Sequence, residues 1–319
     1  MKNPNSTLTP SDMKNEILYM AMYDTQPSFR DFRGIEGYPR RMLEDDEAKL
    51  QKRIDSFSDT SEDEASRIAE PIITYLLENN LLLPRMNSFA FLAHDYDDKI
   101  NGTDVVFGVS KNDEDPLVFS IDVATDTEPT RINEKFYNTY NLNGGVSYVK
   151  YCKHDDKRWR EPLAPHIVLG MSPASLKKAL EKIQLNNNNE LGPRNPDRIS
   201  DFIILSEFKE QLLLQQMTIG KKPVPRERRD ALKAVKNEVY TALVDNLDID
   251  IDSFKYVDET DGKTKINGEE LQRAFNEKYN KQRKELENFD KAYFNIMDET
   301  ERRINKYRGE KSMVGSNSK

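Results

Sequence analysis

Two aspartates on neighbouring apolar runs are the residues of this chain whose types and spacing suggest chemistry. Asp104 opens the run Thr103-Asp-Val-Val-Phe-Gly-Val109, and Asp122 lies near the end of Leu117-Val-Phe-Ser-Ile-Asp-Val-Ala-Thr125. A divalent cation such as Mg²⁺, or Mn²⁺ in its place, takes hard oxygen ligands, usually one or two carboxylates completed by water. Two strands side by side, each ending in Asp, can hold such an ion. The ion can then activate a water and neutralise charge on a phosphate. Glu70 is a third carboxylate to weigh with them, because it falls among the buried-face positions of the preceding helix. Both aspartates also read as ordinary exposed strand ends, and the residues alone leave the two readings open.

The elements that must position these groups follow from pattern and punctuation. Ser88–His94, Thr103–Val109 and Leu117–Thr125 are rich in Val, Ile, Phe and Thr and are bounded by Gly, Asn, Asp and Pro, which predicts a β-meander. Asp95–Gly102 reads as a polar turn between the first two strands. Upstream, Ser61 and Glu64 form a capping-box pattern. From Ala65, the positions Ile68, Ala69, Ile72, Ile73, Leu76 and Leu77 recur at helical spacing, with Pro71 expected to kink the helix or delay its start. Downstream, Glu128-Pro129-Thr130 starts a helix with Ile132, Phe136 and Tyr140 on one face, and Asn143-Gly144-Gly145 stops it. Val146–Cys152 alternates as a fourth strand, His154–Pro165 reads as a polar loop, and His166–Gly170 as a short fifth strand. Ser172-Pro173 starts a helix through Leu185.

Outside that block the chain is mainly helical. Arg40–Phe57 is a charged helix with a narrow apolar stripe, and Ile17–Tyr23 a short apolar segment after a polar start. Beyond the loop Asn186–Pro196, helices are expected over Ile199–Met217 and Arg226–Asn246. A hairpin joins Phe254–Val257 to Lys263–Ile266 around Asp261-Gly262. One long helix runs from Glu269 to Tyr307, and Glu310–Lys319 is a tail. The expected fold is α+β (or α/β): a mixed central sheet of about five strands flanked by helices, with a helical C-terminal region. The divisions are an N-terminal extension over 1–60, an α/β core over 61–220 and the helical region over 221–319.

Composition limits the function classes. Of 319 residues, 36% are hydrophobic and 33% charged, so the core must be concentrated in part of the chain. A net charge of −8 argues against generalised phosphate binding, though not against a local basic groove. Cys152 is the only cysteine, which excludes an intrachain disulfide and a thiolate zinc cluster. There is no apolar run of membrane-spanning length and no signal-peptide pattern at the start, so a cytoplasmic protein is expected.

The order helix, three-strand meander, helix, strand resembles the core of the PD-(D/E)XK nuclease-like superfamily. Gly102-Thr103-Asp104 is similar to the first part of its motif, and Asp122-Val123-Ala124 to the second except at the final position, where Ala124 stands for lysine. The resemblance covers about residues 61–185. It implies a Mg²⁺- or Mn²⁺-dependent nuclease acting on DNA or RNA. Asp104 and Asp122 would be metal ligands and Glu70 the helix-borne acid. Some members supply the lysine from the neighbouring helix, which implies Lys135, or Arg131, in that part. A catalytically inactive descendant acting as a binding or assembly protein is the alternative.

Other clusters carry less. His94 with Asp95, Asp97 and Asp98 lacks a fixed ligand geometry and reads as a solvated turn. His154 and His166 have no partner pattern for base catalysis. Lys150–Arg160 surrounds the lone Trp159 with basic residues, a pattern that can grip phosphates and stack on bases, or simply an anchored polar loop. Lys221, Lys222, Arg226, Arg228 and Arg229 form a second basic cluster. Asp258–Glu270 fails as an EF-hand on register. The narrow seam of the C-terminal helix suits packing on its own domain or on a protein partner.

Overall fold

The computed structural model describes residues 26–56, 64–78, 82–110, 116–125, 128–154, 156–187, 198–219, 226–257, 263–287 and 289–316. The expected segment Ile17–Tyr23, the Ser61 capping box, most of the Asn186–Pro196 loop, and the turns at 220–225 and 258–262 lie outside the described residues.

The fold is α+β. After α1 (Arg40–Ser56) and α2 (Glu64–Glu78), strands β1 (Asn87–Leu92), β2 (Val105–Ser110) and β3 (Leu117–Ala124) form an antiparallel meander. Helix α4 (Pro129–Phe136), extended by a π turn over Tyr137–Leu142, leads to β4 (Val146–His154) and β5 (Lys157–Gly170). Sheet order is β1-β2-β3-β5-β4, with β3 and β5 parallel and β4 antiparallel to β5. A parallel pair needs a crossover, and α4 is part of it. Helices α5 (Pro173–Asn187), α6 (Ile199–Ile219) and α7 (Arg226–Asn246) follow, then the hairpin β6 (Lys255–Val257) and β7 (Thr264–Ile266), and last α8 (Gly268–Glu287) and α9 (Lys291–Ser316). Among the described residues no helix is long and apolar enough to cross a membrane.

The two faces of the meander bury different things. The odd-numbered positions Leu117, Phe119, Ile121 and Val123 join the large core with Ala69, Ile72, Ile73 and Leu76 of α2 and with Leu176, Leu180 and Ile183 of α5. Ala124 and Val168 lie on the other face under Ile132, Phe136 and Tyr140, which the helical spacing assigns to one side of α4. Pro71 lies inside a helix that continues across it.

Four expectations are corrected. Asp95–Asn101 is a short helix, α3, rather than a polar turn. His94 caps it by accepting from the Tyr96 N–H, and Gly102, at φ 68°, closes it in the left-handed region. The polar loop at His154–Pro165 is instead the β4–β5 hairpin, because the N-terminal segment covers its polar residues: Lys153 pairs with Asp31, Arg160 donates to the Gly37 carbonyl, and the Tyr38 hydroxyl donates to the Trp159 carbonyl at 2.5 Å. The C-terminal helix is two helices, since Asp290 caps α9 by accepting from the Tyr293 N–H and also accepts from Ser172 N–H and the Ser175 hydroxyl. The tail is helical as far as Ser316.

One edge of β5 is completed by a helix. Residues 166–170 bond β3 on one side, and on the other the α6 side chains Glu207, Gln211 and Gln215 take the place of a strand. Glu207 accepts from Gly170 N–H, Gln211 exchanges bonds with both backbone groups of Val168, and Gln215 donates to the carbonyls of His166 and Gly145. Four helical residues advance about 6 Å, close to the roughly 6.6 Å of two strand residues, so a side chain at every fourth position meets every second strand residue.

Candidate active site

Asp104 immediately precedes β2, and its backbone still continues the sheet: its N–H donates to Ile121 O at 2.8 Å and its carbonyl accepts from Ala93 N–H at 2.9 Å. Val105 faces Ile121 in the β2–β3 register, so the start of one strand lies beside the end of the next, where Asp122 sits. Asp104 Oδ2 accepts from the Val123 N–H at 2.6 Å, which ties its carboxyl to the same strand end. Asp122 is buried, while Asp104 and Glu70 are half-buried.

Lys135 completes the cluster. Because Ile132, Phe136 and Tyr140 fix one face of α4 on the sheet, Lys135 is delivered to its edge. Its Nζ donates to Asp122 Oδ1 and, at 3.2 Å, to the Val123 carbonyl. Arg131 is exposed on the same helix. Ala124 is sealed in the apolar patch beneath α4. The basic group therefore reaches the strand end from the crossover helix.

Charged groups are crowded in this corner. Burial raises the Asp104 pKa well above the usual carboxylate range, the carboxylates of Glu70 and Asp122 push it further, and Lys135 only partly offsets them. Burial opposes the Lys135 ammonium, yet Asp122, Asp104 and Glu70 together lift its pKa above the ordinary lysine value. Three carboxylates thus act on one ammonium, and Asp122 is the one it bonds.

A polar chain that the sequence reading did not single out runs beneath the site. Ser120 shares the Asp122 face of β3, two residues earlier, and its hydroxyl lies 2.7 Å from Thr103 Oγ1 and 2.9 Å from His166 Nδ1. Burial pushes the His166 pKa down to about 4 despite Asp122, with Lys135 adding to the fall, so the imidazole is neutral. The period-two position of Ser120 relative to Asp122 was the available signal.

In the other clusters, several described side chains have partners within the fold. Asp97 is buried and accepts from the backbone N–H groups of Lys150 and Tyr151 and from Asn101. His94 packs among Phe29, Phe32 and Tyr151, and His154 stacks on Phe89 at 4.3 Å. In the Trp159 region, Lys150 pairs with Asp46 and Lys153 with Asp31, and Arg228 of the second basic cluster pairs with Glu161 at 2.6 Å. The C-terminal seam packs on its own chain: Tyr293 is buried in the large core and Ile296 and Ile304 in the patch beneath α4.

The chain matches no family model, no curated protein and no solved structure.

In chemistry the donors suit a hard divalent cation, because Asp104 and Asp122 bring carboxylate oxygens to one strand end. Among the described residues, no three His, Cys, Asp or Glu side chains converge as they stand into a ready-made metal site. At Asp122 the ammonium of Lys135 holds the position of a cation.

Proposed function

We propose that the chain is a PD-(D/E)XK-like protein acting in the cytoplasm as a Mg²⁺- or Mn²⁺-dependent hydrolase of DNA or RNA phosphodiesters. One observation carries this reading: the Lys135 amine reaches the Asp122 carboxylate from the crossover helix and supplies the positive charge that Ala124 lacks. The antiparallel meander followed by a helix and a strand parallel to β3 supports it as well.

Asp104 and Asp122 would hold the cation, with Glu70 assisting. When bound, such an ion supplies Lewis-acid polarisation of a phosphoryl oxygen and a water of lowered pKa. Lys135 neutralises charge developing on the phosphate and orients the attacking water by donating to it. The Asp104–Val123 bond fixes the strand end on which these groups converge.

The test is incubation with single- and double-stranded DNA and RNA, with Mg²⁺ or Mn²⁺, beside the Asp104→Ala and Asp122→Ala variants. Cleavage that both substitutions abolish is the expected result. Lys135→Met should lower the rate by about 10²- to 10⁴-fold, the usual worth of a group moving or positioning a proton. Absence of cleavage together with no metal-induced rise in melting temperature sinks the proposal. A second reading, a non-cleaving binding or assembly protein, draws on the same ion pair, because Lys135 already gives Asp122 a partner. Oligonucleotide binding without cleavage, unaffected by metal, would favour it.

A further inference from the structure

We infer that His166 is a positioning residue of the candidate site: a one-way chain of hydroxyls fixes its proton on Nδ1 and leaves Nε2 as a bare acceptor. What Nε2 does for the site rests on the hydrolase reading above, whereas the tautomer does not.

The chain of hydroxyls starts at a backbone carbonyl. Ser147 of β4 donates to the Asn101 carbonyl at 3.3 Å, and its hydroxyl lies 3.5 Å from Thr103 Oγ1. Thr103 directly precedes Asp104 and lies 2.7 Å from Ser120 Oγ of β3, which is 2.9 Å from His166 Nδ1 of β5. All four side chains are buried.

Counting protons sets the direction. A carbonyl only accepts, and each hydroxyl has one proton to give. Ser147 gives its proton to Asn101, so Thr103 donates to Ser147 and Ser120 donates to Thr103. Ser120 is then left to accept from Nδ1. Burial keeps the ring neutral by lowering its pKa to about 4, and a neutral imidazole has a single N–H. Nε2 therefore carries a lone pair. The longest link, between Thr103 and Ser147, decides the direction, because without it Thr103 is free to donate to Ser120 and the chain can reverse.

A bare nitrogen enclosed in a fold calls for a donor. In the parallel register Ser120 faces His166 and Asp122 faces Val168, so His166 stands two residues before the position opposite Asp122, on the same face of the sheet. The charges of Asp122 and Lys135 both act on the ring. The attacking water of the proposed hydrolysis is the donor that Nε2 would orient.

The ¹⁵N shifts of the His166 ring in wild type, Ser147→Ala and Ser120→Ala, at neutral pH without metal or nucleic acid, test the tautomer. The wild type should show a protonated Nδ1 and a bare Nε2. Ser147→Ala should bring in the Nε2–H form, and Ser120→Ala, which removes the acceptor of Nδ1, should make that form predominate. A wild-type ring protonated at Nε2 overturns the inference, as does either variant with Nδ1 still fully protonated. The wild-type spectrum needs no variant, so poor folding of either does not spoil the test. In the cleavage assay, Ser120→Ala should lower kcat by at least about tenfold at unchanged KM, since a wrong tautomer fails in the transition state. An unaltered kcat with the tautomer switched overturns the positioning role. Absence of wild-type cleavage removes that role together with the hydrolase reading and leaves the tautomer standing.

Discussion

Two lysine–aspartate pairs join helices to the same sheet, Lys150–Asp46 and Lys135–Asp122, and the groups around each carboxylate differ. At the first, Asp46 Oδ2 accepts from Lys150 Nζ and, at 2.6 Å, from the Tyr151 hydroxyl. The ammonium also faces the rings of Tyr96 and Tyr151, with centroids at 5.2 and 5.9 Å. Burial and Asp46 raise the Tyr151 pKa, so the phenol remains a donor. The neighbouring Asp97 is raised to about 6 by burial, against the pull of its backbone and Asn101 bonds. One ammonium there bonds one carboxylate and acts on Asp97 through its charge, and the result fixes α1 on β4. At the second, Lys135 bonds Asp122, and the carboxylates of Asp104 and Glu70 act on it through their charge as well. A balanced buried pair is accounted for by structure alone. A group of carboxylates whose charges shift one another as at Asp104 is of the kind that recurs at functional sites.

The largest expected effect breaks the balanced pair. Asp46→Ala leaves the Lys150 ammonium and the Tyr151 hydroxyl enclosed with no acceptor, which should cost about 3–5 kcal/mol in denaturant unfolding. Lys135→Met should cost less, about 1–3 kcal/mol, because its site is more open and Asp122 regains water. Equal losses at the two lysines would erase the distinction between them.

The comparison also shows what a sequence reading can reach. The meander, the crossover helix and the span Arg226–Asn246 were legible because periodicity and Pro or Gly punctuation are local signals. Asp104 and Asp122 were legible as candidates, since strand ends are read from spacing, and Lys135 only through the family resemblance. The Asp46–Lys150–Tyr151 cluster was not, because it joins residues 104 and 105 positions apart. The same holds for β5: its polar half reads as a loop until the N-terminal segment covers it, with Arg158 bonded to the Asp31 carbonyl and Arg160 to the Gly37 carbonyl. Helix α3 had its capping residue and its closing Gly102 in view. With seven residues and a mostly polar surface, however, it has no apolar stripe to announce it. The break before α9 depends on Ser172 and Ser175, far away in the chain. In the crowded corner the sequence named the acids but not their repulsion, which depends on how closely the fold packs them.

Asp104→Asn measures that repulsion directly. The folded-state pKa of Asp104 lies above its ordinary value of 3.8, so its contribution to stability is full below that value and is lost as the pH rises through the raised folded pKa. The amide removes the charge and keeps an oxygen for the Val123 N–H. The variant should gain about 1 kcal/mol at neutral pH, a stabilisation typical of relieving a functional site. The gain should vanish below about pH 4, as read from melting temperature against pH in metal-free buffer. A loss of stability at neutral pH would mean that the carboxylate is not under strain.

The smallest effect is expected where both members of the balanced pair are removed together. Lys150→Met with Asp46→Asn takes away both charges, keeps an acceptor for the Tyr151 hydroxyl and roughly preserves volume. A buried ion pair recovers little more than its own desolvation cost, so the double variant should lie within about 1 kcal/mol of the wild type, although Asp46→Ala alone is severe. The corresponding double change at the other site, Lys135→Met with Asp122→Asn, removes one charge of each sign and leaves Asp104 still acted on by Glu70. Its pH profile should depart from the wild type's, because two of the charges that shift Asp104 are gone, whereas that of Lys150→Met with Asp46→Asn should follow the wild type. Parallel pH profiles of the two double variants would show that the fold treats both lysines alike. The crowding of acids at the end of β3 would then have no bearing on a cation.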